Sequence, residues 1–268
     1  MRPALPVFTL PLLLLLAAWL GGCASMPAAD GPSSERLIPT RLIPAPAAPP
    51  QAQRRLVVVL PGRADDLAAL GRSGVAEAIQ RVWPDADVLF AELRLPDYRR
   101  GDVPERLEAQ VMQPARARGY REIWLGGASL GGLGTLLYDR RYPGRTTGLL
   151  LLAPYLGDGA VPKRVAATGG LLRWTPPDGE PGDLDDWQRD LWRHLQSIAR
   201  DPAAGQRVWL AVGTRDRLRD TIALFAPTLP PDHVFTPEGG HAWRVWTPAM
   251  ETLLRRIDAS REATTTPR

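Results

Sequence analysis

Ser129 has the surroundings in this chain that best suit covalent chemistry. It is the centre of a G-x-S-x-G pattern, residues 127–131, between an apolar run and a helix-like segment. In a strained strand-to-helix turn, glycines provide space and the serine hydroxyl is presented at the carboxyl edge of a sheet. The positive end of the following helix also faces negative charge that develops there. The pattern predicts a nucleophile; a purely structural glycine-rich turn is the alternative.

A serine hydroxyl needs a base to remove its proton, and the chain contains three histidines. His241 follows two glycines just after the last apolar run, where a loop can carry it over the sheet edge. His194 stands in a helical pattern beside Trp192, and His233 directly precedes an apolar run. We therefore predict that His241 is the base and that His194 and His233 have packing or structural roles.

The third group should be a carboxylate that orients the imidazole and stabilises its protonated form. In a sheet enzyme of this kind the chain order is serine, acid, histidine. Asp216 fits that order and follows the apolar run at residues 207–212. Asp216 also suits a helix N-cap before Arg217, and the two roles are compatible. Asp220 is the second candidate for the acid and Glu238 the third.

Two backbone N–H groups should stabilise the oxyanion of an acyl-transfer reaction. One belongs to Leu130, directly after the nucleophile. The other should come from the loop Leu60-Pro61-Gly62-Arg63, and we predict the N–H of Arg63, whose side chain could equally be a solvent-facing charge. This loop departs from the His-Gly-Gly pattern of many lipases.

Short apolar runs alternate with amphipathic segments through the middle of the chain. Runs such as Leu56 to Leu60 are apolar on both faces, which is typical of parallel strands between two helix layers. The alternation predicts an α/β fold with a doubly wound, mostly parallel sheet. The predicted strands are residues 55–60, 87–91, 122–126, 147–152, 207–212 and 233–236. The predicted helices are residues 65–82, 104–118, 130–142, 184–199, 217–226 and 243–258.

A long interval separates the predicted strands that end at Leu152 and begin at Arg207. We predict a helical lid insertion at about residues 155–205. Residues 184–199 place Trp187 and other apolar side chains on one helical face, with Trp192 in the same segment. We expect Trp187 and Trp192 to line an acyl pocket; the alternative is that this stripe only packs onto the sheet.

The first residues resemble a bacterial lipoprotein leader. Arg2 precedes an apolar run too short to span a bilayer, and Leu20-Gly21-Gly22 then leads to Cys23. We predict a signal peptide at residues 1–22, a lipidated Cys23 carrying fatty acyl chains such as palmitate, and a Pro/Ala-rich tether at residues 23–53. The protein should be exported and lipid-anchored to a bacterial membrane, the periplasmic face of the outer membrane being favoured. An ordinary cleaved signal is the alternative.

The composition bears on the number of domains and on the partners and cofactors to be expected. Apolar residues are 44% and charged residues 23% of the chain, which suits one globular domain, predicted at residues 54–258, before a disordered tail at 259–268. The basic residues are nearly all scattered arginines, so we expect no nucleic-acid partner. With a single cysteine there is no intrachain disulfide or cysteine metal site, and we expect no metal and no cofactor.

These residues together resemble the α/β-hydrolase superfamily across residues 54–258. The segment Gly239-Gly240-His241-Ala242-Trp243, followed by Val245-Trp246, is similar to the histidine region of esterase D and S-formylglutathione hydrolase relatives, also seen in mycolyltransferases. The resemblance implies Ser129, Asp216 and His241 as a triad that acts on a small-molecule or lipid-like acyl ester. A catalytically silent binding lipoprotein and an acyltransferase are the alternatives.

Overall fold

A seven-stranded sheet forms the centre of the molecule. The computed structural model describes residues 37–47, 50–176 and 186–265. The strands are β1 (Thr40–Ile43), β2 (Arg55–Leu60), β3 (Ala86–Ala91), β4 (Glu122–Ala128), β5 (Gly148–Leu152), β6 (Val208–Ala211) and β7 (Val234–Phe235). Their order is β1-β3-β2-β4-β5-β6-β7, with β1 antiparallel to β3 and every other neighbouring pair parallel. The predicted fold class, a doubly wound and mostly parallel sheet, is confirmed.

Helices flank this sheet in two groups, one built on α2 with α11 and the other on α6 with α4 and α8. Because helices cover them, β2 and β5 are buried over almost their whole length. The helices are α1 (Leu67–Arg72), α2 (Val75–Val82), α3 (Leu95–Arg100), α4 (Val103–Leu107), α5 (Gln113–Ala117), α6 (Leu130–Arg141), α7 (Ala160–Ala167), α8 (Asp186–Arg200), α9 (Pro202–Gly205), α10 (Arg219–Ile222) and α11 (Trp243–Thr265). A π-helical turn, Glu108–Met112, joins α4 to α5.

The folded domain begins earlier than predicted. Residues 40–43, placed in the tether by their Pro/Ala-rich surroundings, pair with β3 from Thr40 opposite Ala91 to Ile43 opposite Val88. The backbone N–H of Ala45 then donates to the buried carboxylate of Asp87 at 2.7 Å. The predicted boundary at residue 54 is therefore wrong. A short edge strand can form by pairing with a neighbouring strand and does not need an apolar run of its own. Residues 1–36, with the predicted leader and Cys23, lie outside the described residues.

The predicted disordered tail is also wrong as far as residue 265. Helix α11 continues through this region, and the guanidinium of Arg261 donates to the carboxylate of Glu122 at 3.1 and 3.0 Å. The guanidinium carbon of Arg261 also lies 5.5 Å from the centre of the Trp124 ring. These contacts fix the last turns of α11 against the start of β4.

The interval between β5 and β6, described for residues 153–176 and 186–207, contributes helix α8 to the core of the domain. Leu191, Leu195 and Ile198 of α8 are buried in the common core. Helix α8 also packs beside α6, as a crossover helix of a parallel sheet does. These three residues of the predicted stripe are therefore core packing, whereas Trp187 is 36% exposed, and the lid prediction is not confirmed.

Candidate active site

Ser129 occupies a strained turn between β4 and α6. Its backbone φ is 54° and ψ is −111°, a conformation that non-glycine residues rarely adopt. The backbone holds this conformation, because the Ser129 N–H donates to the Leu152 carbonyl and the Ser129 carbonyl accepts from Tyr155 N–H, both at 2.9 Å. The turn thus places Ser129 at the carboxyl edge of the sheet, as its sequence pattern predicts.

The two glycines around Ser129 allow the close packing that this turn requires. A Cβ atom on Gly131 would lie 2.3 Å from the Leu60 carbonyl oxygen, and one on Gly127 would lie 2.5 Å from the Gly131 carbonyl carbon. Any side chain at either position would push α6 away from the strands. The first turn of α6, which begins at Leu130, consequently packs against the end of β2.

Asp216 and His241 form a direct pair on the same edge of the sheet. His241 Nδ1 lies 2.9 Å from each carboxylate oxygen of Asp216, and the Asp216 side chain has no solvent exposure. Asp216 Oδ1 also accepts the Leu218 N–H at 2.9 Å. The predicted N-cap role of Asp216 is wrong, because α10 begins at Arg219 and its N-cap residue is Leu218. The opposite ring nitrogen, Nε2, is buried and has no hydrogen-bond partner among the described residues. A carboxylate on Nδ1 favours the tautomer in which Nε2 can accept a proton.

Paired loops bring Asp216 and His241 together. Arg215 N–H donates to the Gly239 carbonyl at 2.8 Å, which ties the loop after β6 to the loop after β7. The two other acids considered are placed differently. Glu238 is 72% exposed and bonds to the side chains of its neighbours in these loops, whereas Asp220 is an exposed residue of α10. Asp216 is therefore the one of the three candidates that contacts His241.

The other two histidines make contacts elsewhere in the fold. His194 Nε2 lies 3.1 Å from the carboxylate of Asp139, between α8 and α6. His233 stacks on Trp209 with ring centres 3.6 Å apart, and burial lowers the pKa of His233. Across the described residues, no group of three or more His, Cys, Asp or Glu side chains is arranged to hold a metal ion.

The two predicted oxyanion donors lie on neighbouring strand ends. Leu130 is the first residue of α6, and its N–H belongs to the first turn, where N–H groups have no intrahelical acceptor. Arg63 lies in the loop after β2, and β2 pairs with β4 so that Leu60 is opposite Gly127. The Arg63 side chain is exposed, in keeping with its alternative role as a surface charge.

Tyr155, which sequence reasoning missed, connects this site to α8. Burial, together with the neighbouring carboxylate of Asp158, raises the pKa of Tyr155, and the positive charge of Arg63 acts in the opposite direction. The Tyr155 ring lies 6.1 Å from that of Trp187, which is 36% exposed. Since Tyr155 N–H also bonds to the Ser129 carbonyl, Tyr155 connects Trp187 to the Ser129 turn.

Trp192, in contrast, lies in the core. Its side chain is 0% exposed, and its indole N–H donates to the Leu156 carbonyl at 2.9 Å. The prediction that Trp192 lines a substrate pocket is wrong, because the helical period of α8 turns this residue into the core. Of the two tryptophans predicted to line an acyl pocket, Trp187 remains a candidate.

Because the two tryptophans differ in burial, Trp192→Ala should mainly affect stability and Trp187→Ala should mainly affect substrate preference. Trp192→Ala should cost about 3–5 kcal/mol of unfolding free energy, as truncation of a buried aromatic residue does. Trp187→Ala should cost about 1 kcal/mol or less and shift the ratio of kcat/KM between short and long acyl esters. Thermal melts and p-nitrophenyl ester kinetics test both. An unchanged chain-length preference in Trp187→Ala would exclude this residue from the pocket.

Comparison with solved structures identifies the fold. The chain is similar to a ferulic acid esterase (TM-score 0.53, 13% identity, covering 82% of this chain and 98% of that one) and to Est1E from Butyrivibrio proteoclasticus (0.53, 18%, 84% and 94%). It is also similar to S-formylglutathione hydrolase from Staphylococcus aureus (0.51, 12%, 82% and 97%). No protein-family model and no curated protein matches the chain. The fold is that of the α/β-hydrolases, and these neighbours include esterases.

Proposed function

We propose that the protein is a serine hydrolase that cleaves a carboxylic ester or thioester. The observation that carries the proposal is the pairing of His241 with the buried Asp216, which leaves Nε2 of His241 without a partner among the described residues, on the same sheet edge as the strained Ser129 turn. Strained backbone, a carboxylate-oriented histidine and an edge serine are together the requirements of nucleophilic acyl transfer. The names of two structural neighbours, a ferulic acid esterase and an S-formylglutathione hydrolase, agree with this chemistry.

In the proposed reaction, Nε2 of His241 takes the hydroxyl proton as Ser129 Oγ attacks the acyl carbon. The N–H groups of Leu130 and Arg63 stabilise the oxyanion, and Asp216 stabilises the imidazolium. His241 then returns the proton to the leaving alkoxide or thiolate, and an acyl-enzyme forms. Water, deprotonated by the same nitrogen, attacks the acyl-enzyme and releases the carboxylic acid and the free serine.

Labelling with a fluorophosphonate probe tests this proposal, because the probe requires an activated serine. We expect the full chain to be labelled and the Ser129→Ala variant to remain unlabelled. Hydrolysis of p-nitrophenyl esters from acetate to palmitate then gives the acyl preference. A folded protein that is neither labelled nor active is the result expected of a silent binding module. Ester products formed with an added alcohol, at the expense of free acid, would indicate an acyltransferase.

We also propose that lipidated Cys23 tethers this hydrolase to a bacterial membrane after export, with the periplasmic face of the outer membrane favoured. The support is the sequence of residues 1–23, in which a short apolar run ends in Leu20-Gly21-Gly22-Cys23. Two or three acyl chains would give a stable anchor, which a single chain does not. In the described part of the chain, no helix combines the length and apolar content required to cross a bilayer.

Cys23→Ser should release the protein from membranes or block its processing, because it removes the sulfur that would carry the lipid. Membrane and soluble fractions are compared after a high-salt wash, which removes weak electrostatic adsorption of this basic chain. Retention equal to that of the unchanged protein would contradict the lipid anchor.

A further inference from the structure

One carboxylate oxygen connects the loop after β2 to the helix that follows His241. Asp65 Oδ2 accepts the backbone N–H of Gly62 at 3.0 Å and the indole N–H of Trp243 at 2.8 Å. Residues 65 and 243 are 178 positions apart in the chain. Gly62 lies in the loop that carries the proposed second oxyanion donor, Arg63 N–H. Trp243 is the first residue of α11.

On the side of the β2 loop, the bonds of Asp65 close a compact turn. The Asp65 backbone N–H donates to the Gly62 carbonyl at 3.2 Å, while the Gly62 N–H donates to the Asp65 carboxylate. These reciprocal bonds restrain the backbone between the two residues, which includes Arg63. The turn also packs against the nucleophile strand, since a Cβ on Gly62 would lie 3.8 Å from the Ala128 carbonyl oxygen.

On the side of α11, aromatic contacts lead from Trp243 to the proposed base. The rings of Trp243 and Trp246 meet edge to face, with centres 5.3 Å apart and an 85° angle. The Trp246 ring meets the His241 ring in the same way, at 4.6 Å and 88°. Edge-to-face packing fixes the relative orientation of such rings. The bond from Asp65 to Trp243 therefore restrains the aromatic group against which His241 rests.

We propose that Asp65 is a positioning residue for the hydrolase reaction, and this inference rests on the function proposed above. Its carboxylate holds the Arg63 peptide and the His241–Trp246 contact in fixed relation, so that the oxyanion donor and the base act on the same acyl group. Asp65 needs only to accept hydrogen bonds in this role. Its negative charge is not required.

The acceptor role predicts different results for two substitutions of Asp65. Asp65→Ala should lower kcat for p-nitrophenyl acetate roughly 10–100-fold and leave KM within about threefold, since loss of one whole oxyanion donor costs ~10²–10³ in kcat. Asp65→Asn should stay within about threefold of the unchanged protein, because the amide oxygen can accept both bonds. Trp243→Phe, which removes one of the bonds but keeps a ring, should fall between the two.

Asp66→Ala is the matched control. Asp66 is the adjacent carboxylate, exposed, and its side chain accepts the Ala69 N–H as the N-cap of α1. This variant should melt at a slightly lower temperature than the unchanged protein, because it loses one helix-cap bond, and its kcat should be unchanged. As a readout independent of activity, hydrogen exchange of the Gly62 amide should accelerate in Asp65→Ala and not in Asp65→Asn or Asp66→Ala.

Two results would overturn the positioning role. One is a kcat for Asp65→Ala within about twofold of the unchanged protein; the other is equal loss of kcat in Asp65→Asn and Asp65→Ala. Both results count only if the unchanged protein is labelled by fluorophosphonate and hydrolyses the ester. If the unchanged protein does neither, the proposed hydrolase function fails and the positioning role fails with it.

Discussion

Ser129→Ala is expected to eliminate ester hydrolysis and leave the fold intact. Only the hydroxyl oxygen is removed, whereas the bonds that hold the turn are made by the backbone N–H and carbonyl of residue 129 and remain available to alanine. Loss of the nucleophile should reduce kcat/KM by a factor of about 10⁴ or more, as in serine hydrolases generally. Kinetics on p-nitrophenyl acetate and a thermal melt measure the two effects.

Ser197→Ala serves as the control for this substitution. Ser197 is exposed on α8, and its hydroxyl donates to the His194 carbonyl one turn earlier in the helix. We expect unchanged kcat/KM for this variant. Activity in Ser129→Ala at a tenth of the original value would show that Ser129 is not the nucleophile.

Asp216→Asn and His241→Ala should each lower kcat/KM by a factor of ~10⁴. An amide at residue 216 can still accept the Leu218 N–H, so the local turn persists. Its NH₂ group can donate to His241 Nδ1, however, which favours the tautomer with the proton on Nε2 and blocks that nitrogen as a base. His241→Ala removes the base itself. Steady-state kinetics on the p-nitrophenyl ester series measure both losses.

Asp220→Asn and Glu238→Gln are the corresponding controls, since neither carboxylate contacts His241 in the structure. Both variants should keep kcat/KM close to that of the unchanged protein. A larger loss in Asp220→Asn than in Asp216→Asn would show that the acid has been assigned to the wrong residue.

The parallel strands could be predicted from the sequence because each is a compact apolar run. Residues 149–152 are four consecutive leucines, and such a run must be buried on both faces. Strand β1 could not be found in this way. Its residues from Thr40 to Leu42 are exposed, and it becomes a strand because it pairs with β3, a contact that local composition does not report. The end of α11 was missed for a similar reason, since the partner of Arg261 is Glu122.

Chain order and position after a strand were enough to predict the pairing of Asp216 with His241. The same reasoning could not distinguish Trp187 from Trp192, because a helical pattern shows which residues are apolar and not which neighbour each one meets. It also missed the bond between Asp65 and Trp243. These residues come from opposite ends of the domain and share no local motif, so only the folded arrangement brings them together.

The edge position of β1 has a mechanical consequence if the proposed lipid anchor is present. Tension on the chain before residue 37 would be carried by the bond from the Ile38 N–H to the Gln110 side chain and by the hydrogen bonds between β1 and β3. If those bonds give way, strands β3-β2-β4-β5-β6-β7 remain joined. Strands β4 and β6, which lead into Ser129 and Asp216, lie further across the sheet. A pull on the proposed anchor would therefore separate β1 from β3 before it loads the strands that lead into Ser129 and Asp216.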